Sequence, residues 1–178
     1  MIFDEILGLK EIPENEKVIY RDAVRAIAFN SDNQVIMVQS RDGDYQFPGG
    51  GLENGESQLE TLKREALEEA GIVIKDAAEL IGVVEEGRKS LEIEDAYFVM
   101  KSTYYLCYVE EYVDALQLEE YEKEWGFTPV RIELAEAYKK NLSILTQREK
   151  VNPWVERDTL VLKYLVEHKE ELLEIGRV

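Results

Sequence analysis

Three glutamates stand out among the side chains that could do chemistry. Glu65, Glu68 and Glu69 lie at spacings of three and four residues, so on a helix they share one face. Like charges at those spacings oppose a helix by roughly 0.2–0.5 kcal/mol per pair. Arg64 relieves part of this, with Glu60 and Glu68 each four residues away, but one guanidinium does not neutralise the cluster. A hard divalent cation such as Mg²⁺ or Mn²⁺ would, because oxygen ligands on one face suit it. The bland alternative is a solvated acidic face, common in a chain this rich in glutamate.

The elements around the cluster are well signalled. Phe47-Pro48-Gly49-Gly50-Gly51 opens a loop, and glycines at 49–51 let main chain approach a ligand with no Cβ in the way. Ser57 with Glu60 reads as a capping box, and Gly71 stands where a left-handed C-terminal residue belongs. Between them Leu59, Leu62, Ala66 and Ala70 form one apolar stripe.

Gly50, Glu56, Arg64, Glu65, Ala66, Glu68, Glu69, Gly71 and Ile72 together resemble the Nudix box: glycine, five residues, glutamate, seven residues, Arg-Glu, an aliphatic position, any residue, Glu-Glu, any residue, glycine, aliphatic. Every position matches. The resemblance implies an α/β fold, a Nudix-type α/β/α sandwich around a mixed β-sheet, and Mg²⁺- or Mn²⁺-dependent hydrolysis of the diphosphate bond in a nucleoside diphosphate derivative or a nucleoside triphosphate. It implies that Glu65, Glu68, Glu69 and the Gly49 carbonyl hold metal, and that Glu56 and Arg64 form an ion pair orienting the glutamates. Glu69 is a catalytic candidate. In that family the general base is either a box glutamate or one on a distant loop. Glu119, Glu120 and Glu122 lie just before the strand holding Trp125, where some members keep that residue, and Glu119 and Glu120 are the candidates. Arg41, Phe47, Gly50 and Gly51 are candidate substrate contacts. Tyr45, Trp125, Arg88 and Arg131 could also reach a nucleotide, although aromatics in strands are more often core.

Composition narrows the field. The 178 residues suit one domain spanning 1–178, and the formal charge of −17 disfavours binding of a nucleic-acid polymer. That charge also demands a cation for any phosphate-bearing substrate. No apolar run approaches a membrane span, and the N-terminus lacks the basic start of a signal peptide, so a cytoplasmic protein is expected. One cysteine, Cys107, excludes an internal disulfide, and one histidine, His168, disfavours a zinc site or a serine triad. The same scarcity counts against an isomerase of the isopentenyl diphosphate type. A nucleotide-sensing module that shares the fold would be expected to lose box glutamates, whereas this chain keeps them. An acidic interaction protein would require the box to be accidental. The partners expected are a small nucleotide-type substrate and, at most, a second copy of the chain.

Elsewhere the pattern predicts an edge strand within residues 1–17, with a turn at PENEK. A hairpin follows, joining VIYRDAVRAIAFN to VIMVQS through SDNQ. After Gly71 comes a strand pair broken by a polar bend, then a loop over GRKSLEIED and a long strand over YFVMKSTYYLCYVEE. LQLEEYEKE reads as exposed, WGFTPVRI as a strand and LAEAYKKN as a short helix. Asn152-Pro153 starts a long terminal helix with Val155, Leu162, Leu165, Val166, Leu172 and Leu173 on one face. The substrate is left open: a proline about fifteen residues past the box, common in ADP-ribose pyrophosphatases by family resemblance, is missing.

Overall fold

Alternation along two strands decides the architecture. β2 (Lys17–Ile27) and β3 (Val35–Gln39) each send successive side chains to opposite faces. Val24, Ala26 and Ile36 pack against Leu62, Ala66 and Ala70 of α1 (Gln58–Ala70). Ile27, Val35 and Met37 pack on the other face against Leu134 and Ala137 of α3 (Leu134–Gln147) and Val161, Leu162 and Leu165 of α4 (Pro153–Glu167). Sheets therefore lie between helices, in an α/β/α arrangement. The computed structural model describes residues 1–9, 12–90, 93–113, 116 and 118–175.

Two sheets make the middle layer. In the first, the order is β1-β5-β6-β2, with β1 at Phe3–Gly8, β5 at Ile72–Lys89 and β6 at Ala96–Tyr112. β5 and β6 pair antiparallel, whereas β1–β5 and β6–β2 are parallel, so the sheet is mixed. The second sheet has the order β4-β3-β7, with β4 at Tyr45–Gln46 and β7 at Thr128–Ile132, all antiparallel. β2 and β3 are joined by a hairpin-like turn, with a bridge from Phe29 to Val35, but belong to different sheets.

The expected strand pair after Gly71 is one strand. Its polar bend is absorbed by register shifts at Val73/Ile74, Ile74/Asp76, Ala77/Glu79 and Leu80/Gly82, which bend β5 without ending it. β5 runs on to Lys89, into the expected loop, of which residues 91 and 92 lie outside the described residues. The segment expected to be exposed, also only partly described, holds α2 (Glu120–Trp125), closed by Gly126 at φ 66°. The long terminal helix is two, α4 and α5 (Lys169–Ile175), because His168 at φ −113°, ψ 19° leaves the helical path. The apolar face still continues through Leu172 into the same core.

A polar network fastens α3 and α4 to the segment before the glycine loop. Asp158 is fully buried and accepts from the Tyr104 hydroxyl at 2.8 Å and the Phe47 N–H at 3.3 Å. It also pairs with buried Arg157 at 2.9 Å, which reaches Glu86 at 3.1 Å. Asn141 bonds both the N–H and the carbonyl of Tyr45 at 2.8 Å. Asp44 accepts from Ser40 at 2.8 Å, Asn152 at 2.9 Å and Trp154 at 2.6 Å. Residues 44–47 are thus gripped at three points.

Removing one partner of such a buried pair is worse than lacking the pair altogether. Asp158→Ala is expected to cost about 3–5 kcal/mol in urea unfolding, since Arg157 loses its nearest countercharge. A loss under about 1 kcal/mol, the scale of a surface pair, would show that the network carries no such burden.

Candidate metal and active site

The glycine loop is shaped by what presses on it. Gly49 has φ 142°, disfavoured for other residues, and a Cβ there would strike the Val24 carbonyl. At Gly50 a Cβ would strike the Glu65 carboxylate. The Gly49 N–H donates to Glu69 Oε2 at 2.7 Å, so the loop is fastened directly to the helix face that carries the glutamates. β2 holds the loop from the other side, with the Val24 N–H on the Gly50 carbonyl at 3.0 Å and the Ala26 N–H on the Pro48 carbonyl at 2.8 Å.

Glu65 and Glu69 are 9% and 3% exposed, one turn apart on α1, and Glu122 of α2 joins them at 2%. Each offers an oxygen, and these atoms lie within 4.8 Å of one another. Opposite ligands of one divalent ion stand about 4–5 Å apart, given metal–oxygen distances of about 2.0–2.6 Å. An all-oxygen donor set of this span fits a hard divalent cation.

Burial raises the pKa of both helix carboxyls, because the charged form is poorly solvated. For Glu69, pushed well above the usual range, Arg25 and the Gly49 N–H oppose the rise, while Glu65 and Glu122 add to it. For Glu65 the rise is opposed by Arg64 through its hydrogen bond and charge, and by Arg25. Two such helix carboxyls side by side favour either protons or a bound cation.

Arg64 organises the helix face. Its Nε and Nη2 donate to the two oxygens of Glu56 at 2.8 and 2.9 Å, and its Nη1 to Glu65 at 2.8 Å and Glu68 at 3.2 Å. Glu56 also accepts from the Thr61 hydroxyl at 2.9 Å and the Glu53 N–H at 3.1 Å. Thr61, rather than the predicted Leu59, takes the buried place in the first turn, and Leu59 is exposed. The capping box at Ser57 and Glu60 and the left-handed Gly71 are both formed.

Several predicted residues fall elsewhere. Glu68 turns to Arg64 instead of joining the three-carboxylate cluster. Glu119 and Glu120 are exposed and outside it; one helical turn carries Glu122 inward, where the Glu119 N–H donates to it at 2.6 Å. Phe47 is fully buried and packs edge-on against Tyr104, so it faces core and not ligand. Trp125 and Phe127 pack edge-on against Trp154, tying the end of α2 to the start of α4. Arg88 and Arg131 lie over the rings of Phe98 and Tyr112. Arg41 is exposed, with its N–H on the Trp125 carbonyl at 2.8 Å and its side chain beside Gly126. Cys107 is buried, its thiol pushed up to about 12 by desolvation, which makes it a core residue and not a nucleophile. A groove of about 1010 Å³ lined by Asp32, Lys75, Tyr112 and Arg131 contains no box residue and lies apart from the carboxylates.

Of the loop acids before Trp125 the sequence favours Glu119 and Glu120 over Glu122, and it gives no sign of Arg25. Glu122 sat among other acidic residues with no apolar period to orient it. Arg25 is 8% exposed, and its Nη1 donates to the Gly49 carbonyl, the atom expected to hold metal.

With the geometry set out, comparison places the chain. The model of the NUDIX domain family matches residues 19–173. The solution structure of the E. coli ORF135 protein is similar at 19% identity, covering 90% of this chain and 97% of that one, with a TM-score of 0.55. A NUDIX hydrolase from Nitrosomonas europaea is similar at 17% identity, covering 82% and 89%, with a TM-score of 0.53. The chain belongs to the NUDIX domain family.

The Arg64 hydrogen bonds, with help from the Glu53 N–H, hold the Glu56 carboxyl at about 2 against a usual 4.5. A depressed carboxyl stabilises the fold above the unfolded value and loses that contribution as pH falls through the folded one. The wild-type melting temperature should therefore fall between pH 4.5 and 2 more steeply than that of Glu56→Gln. Parallel curves would mean the ion pair adds nothing to stability.

Proposed function

We propose that this chain hydrolyses the diphosphate linkage of a nucleoside diphosphate derivative or nucleoside triphosphate with Mg²⁺ or Mn²⁺ as cofactor. One observation carries the reading: three buried carboxylates from two elements converge within 4.8 Å beside a glycine loop. Glu65 and Glu69 would hold the cation, with the Gly49 carbonyl as a further oxygen. A bound divalent ion would neutralise the diphosphate and polarise its phosphorus, which the −17 chain cannot do with its own surface charge.

The remaining roles belong to the chain. Glu122, arriving from a different element, takes the proton of the attacking water; this replaces Glu119 and Glu120 as the loop base. Glu56 and Arg64 fix the rotamer of Glu65. Glu68 acts through Arg64, adding negative charge to the guanidinium that restrains Glu65. Gly50 and Gly51 keep the loop thin where the diphosphate must approach, and Arg41, exposed beside the end of α2, meets its oxygens. The reaction adds water across one P–O–P bond and releases two phosphate-bearing fragments, a nucleoside monophosphate or another phosphorylated fragment according to the bond cut. A single unreactive thiol and an acidic soluble-type composition suit a cytoplasmic enzyme.

A panel of nucleoside di- and triphosphate derivatives with Mg²⁺, scored for released phosphate or monophosphate, tests the activity directly. Glu69→Gln should stay folded and lose at least about a hundredfold in turnover, the lower range for acid–base and ligand groups. Glu122→Gln should fall by a similar factor while still binding Mn²⁺, and Glu119→Gln and Glu120→Gln should stay within about twofold of wild type. A slow Glu119 or Glu120 variant beside a fast Glu122 variant would reverse the assignment.

A further inference from the structure

Arg25 is a buried charge inside this site for which the reaction above has no use. It lies on β2 with the parity of Ile27, yet its guanidinium closes on the glycine loop, donating from Nη1 to the Gly49 carbonyl. Its Nε–H is buried and has no partner among the described residues. Backbone bonds on both sides of it, from Val24 to Gly50 and from Ala26 to Pro48, keep β2 against the loop. Gly49 thereby stands between opposite charges, its N–H on Glu69 and its carbonyl on Arg25.

A guanidinium never loses its proton in a protein, carries five donors and accepts nothing. Placed here it does part of what a metal ion does: it supplies positive charge to Glu65 and Glu69 and caps an oxygen that would otherwise be a ligand. It cannot share that oxygen with a divalent ion at no cost, because the two cations repel at short range in a poorly solvated site. The unspent Nε–H marks this as a place where the side chain's hydrogen bonding is incomplete.

We propose that Arg25 is the site's built-in counter-ion, competing with the divalent metal for the Gly49 carbonyl and the Glu65–Glu69 field, so that it sets how tightly the metal is held. The inference rests on the reading that a metal binds these carboxylates. A merely structural Arg25 makes the opposite forecast: without it the loop would slacken and metal binding would weaken.

The sign of one measurement separates the two. Mn²⁺ binding to the full chain, read by electron paramagnetic resonance without nucleotide, should be at least about threefold tighter in Arg25→Met than in wild type, given that a neighbouring charge shifts such equilibria by about one to three powers of ten. Arg25→Lys, which keeps the charge, should stay closer to wild type than Arg25→Met. Unchanged or weaker binding in a folded Arg25→Met variant overturns the proposal. Should that variant not fold, the wild type still decides: its Arg25 Nε–H resonance must shift on Mg²⁺ titration, and a resonance that stays fixed at saturation overturns it. A wild type that binds no Mn²⁺ defeats the metal reading and this inference together. A wild type that binds, with no tightening in the variant, defeats this inference alone.

Discussion

Burying three carboxylates with an oxygen of each within 4.8 Å of the others is the constraint around which this molecule is built. Each would be costly as an isolated buried charge. The fold meets that cost from several sides: the Gly49 N–H on Glu69, Arg64 on Glu65, and Arg25 facing both. None of these suffices, since burial still dominates for both helix glutamates. A site left short of positive charge by its own fold is one that the proposed cation would complete.

The supports for that cluster come from distant parts of the chain. α1 presents its glutamates because Leu62, Ala66 and Ala70 are held on the sheet. The glycine loop stands at the right height because Tyr45 and Phe47, just before it, are gripped by Asn141 and Asp158 of α3 and α4. α2 delivers Glu122 because its end is packed on Trp154, which is itself bonded to Asp44. The C-terminal helices, which carry none of the carboxylates, are thus part of how the site is assembled. Asp158 and Glu69 lie 89 positions apart (158 − 69), and the Phe47–Gly49 segment joins them.

What could be read from the sequence follows from the range over which each signal acts. The box helix was legible because everything that defines it is local: a capping box spanning Ser57 to Glu60, a 3.6-residue stripe and a glycine stop. The core face of α4 and α5 was legible for the same reason, while the break at His168 was not, since a single residue leaving the helical path does not disturb the apolar spacing. β5 looked like two strands because bulges admit polar residues without ending the pairing. Which acidic residue in LEEYEKE points inward depends on where Trp125 packs. Strand parity alone would place Arg25 on the face away from α1, whereas its guanidinium reaches round to the Gly49 carbonyl.

Arg25 also shows why the motif and the geometry do different work. The box supplies negative charge at fixed spacing on one helix, and any chain with that spacing presents similar glutamates. How tightly such a helix holds a cation is decided by what stands opposite it, and here that is β2. A neutral residue at position 25 would leave the Gly49 carbonyl open, whereas the arginine found there makes cation binding an exchange of one positive charge for another. Within the same box, the strand facing the glycine loop can therefore tune the metal requirement without altering a single glutamate.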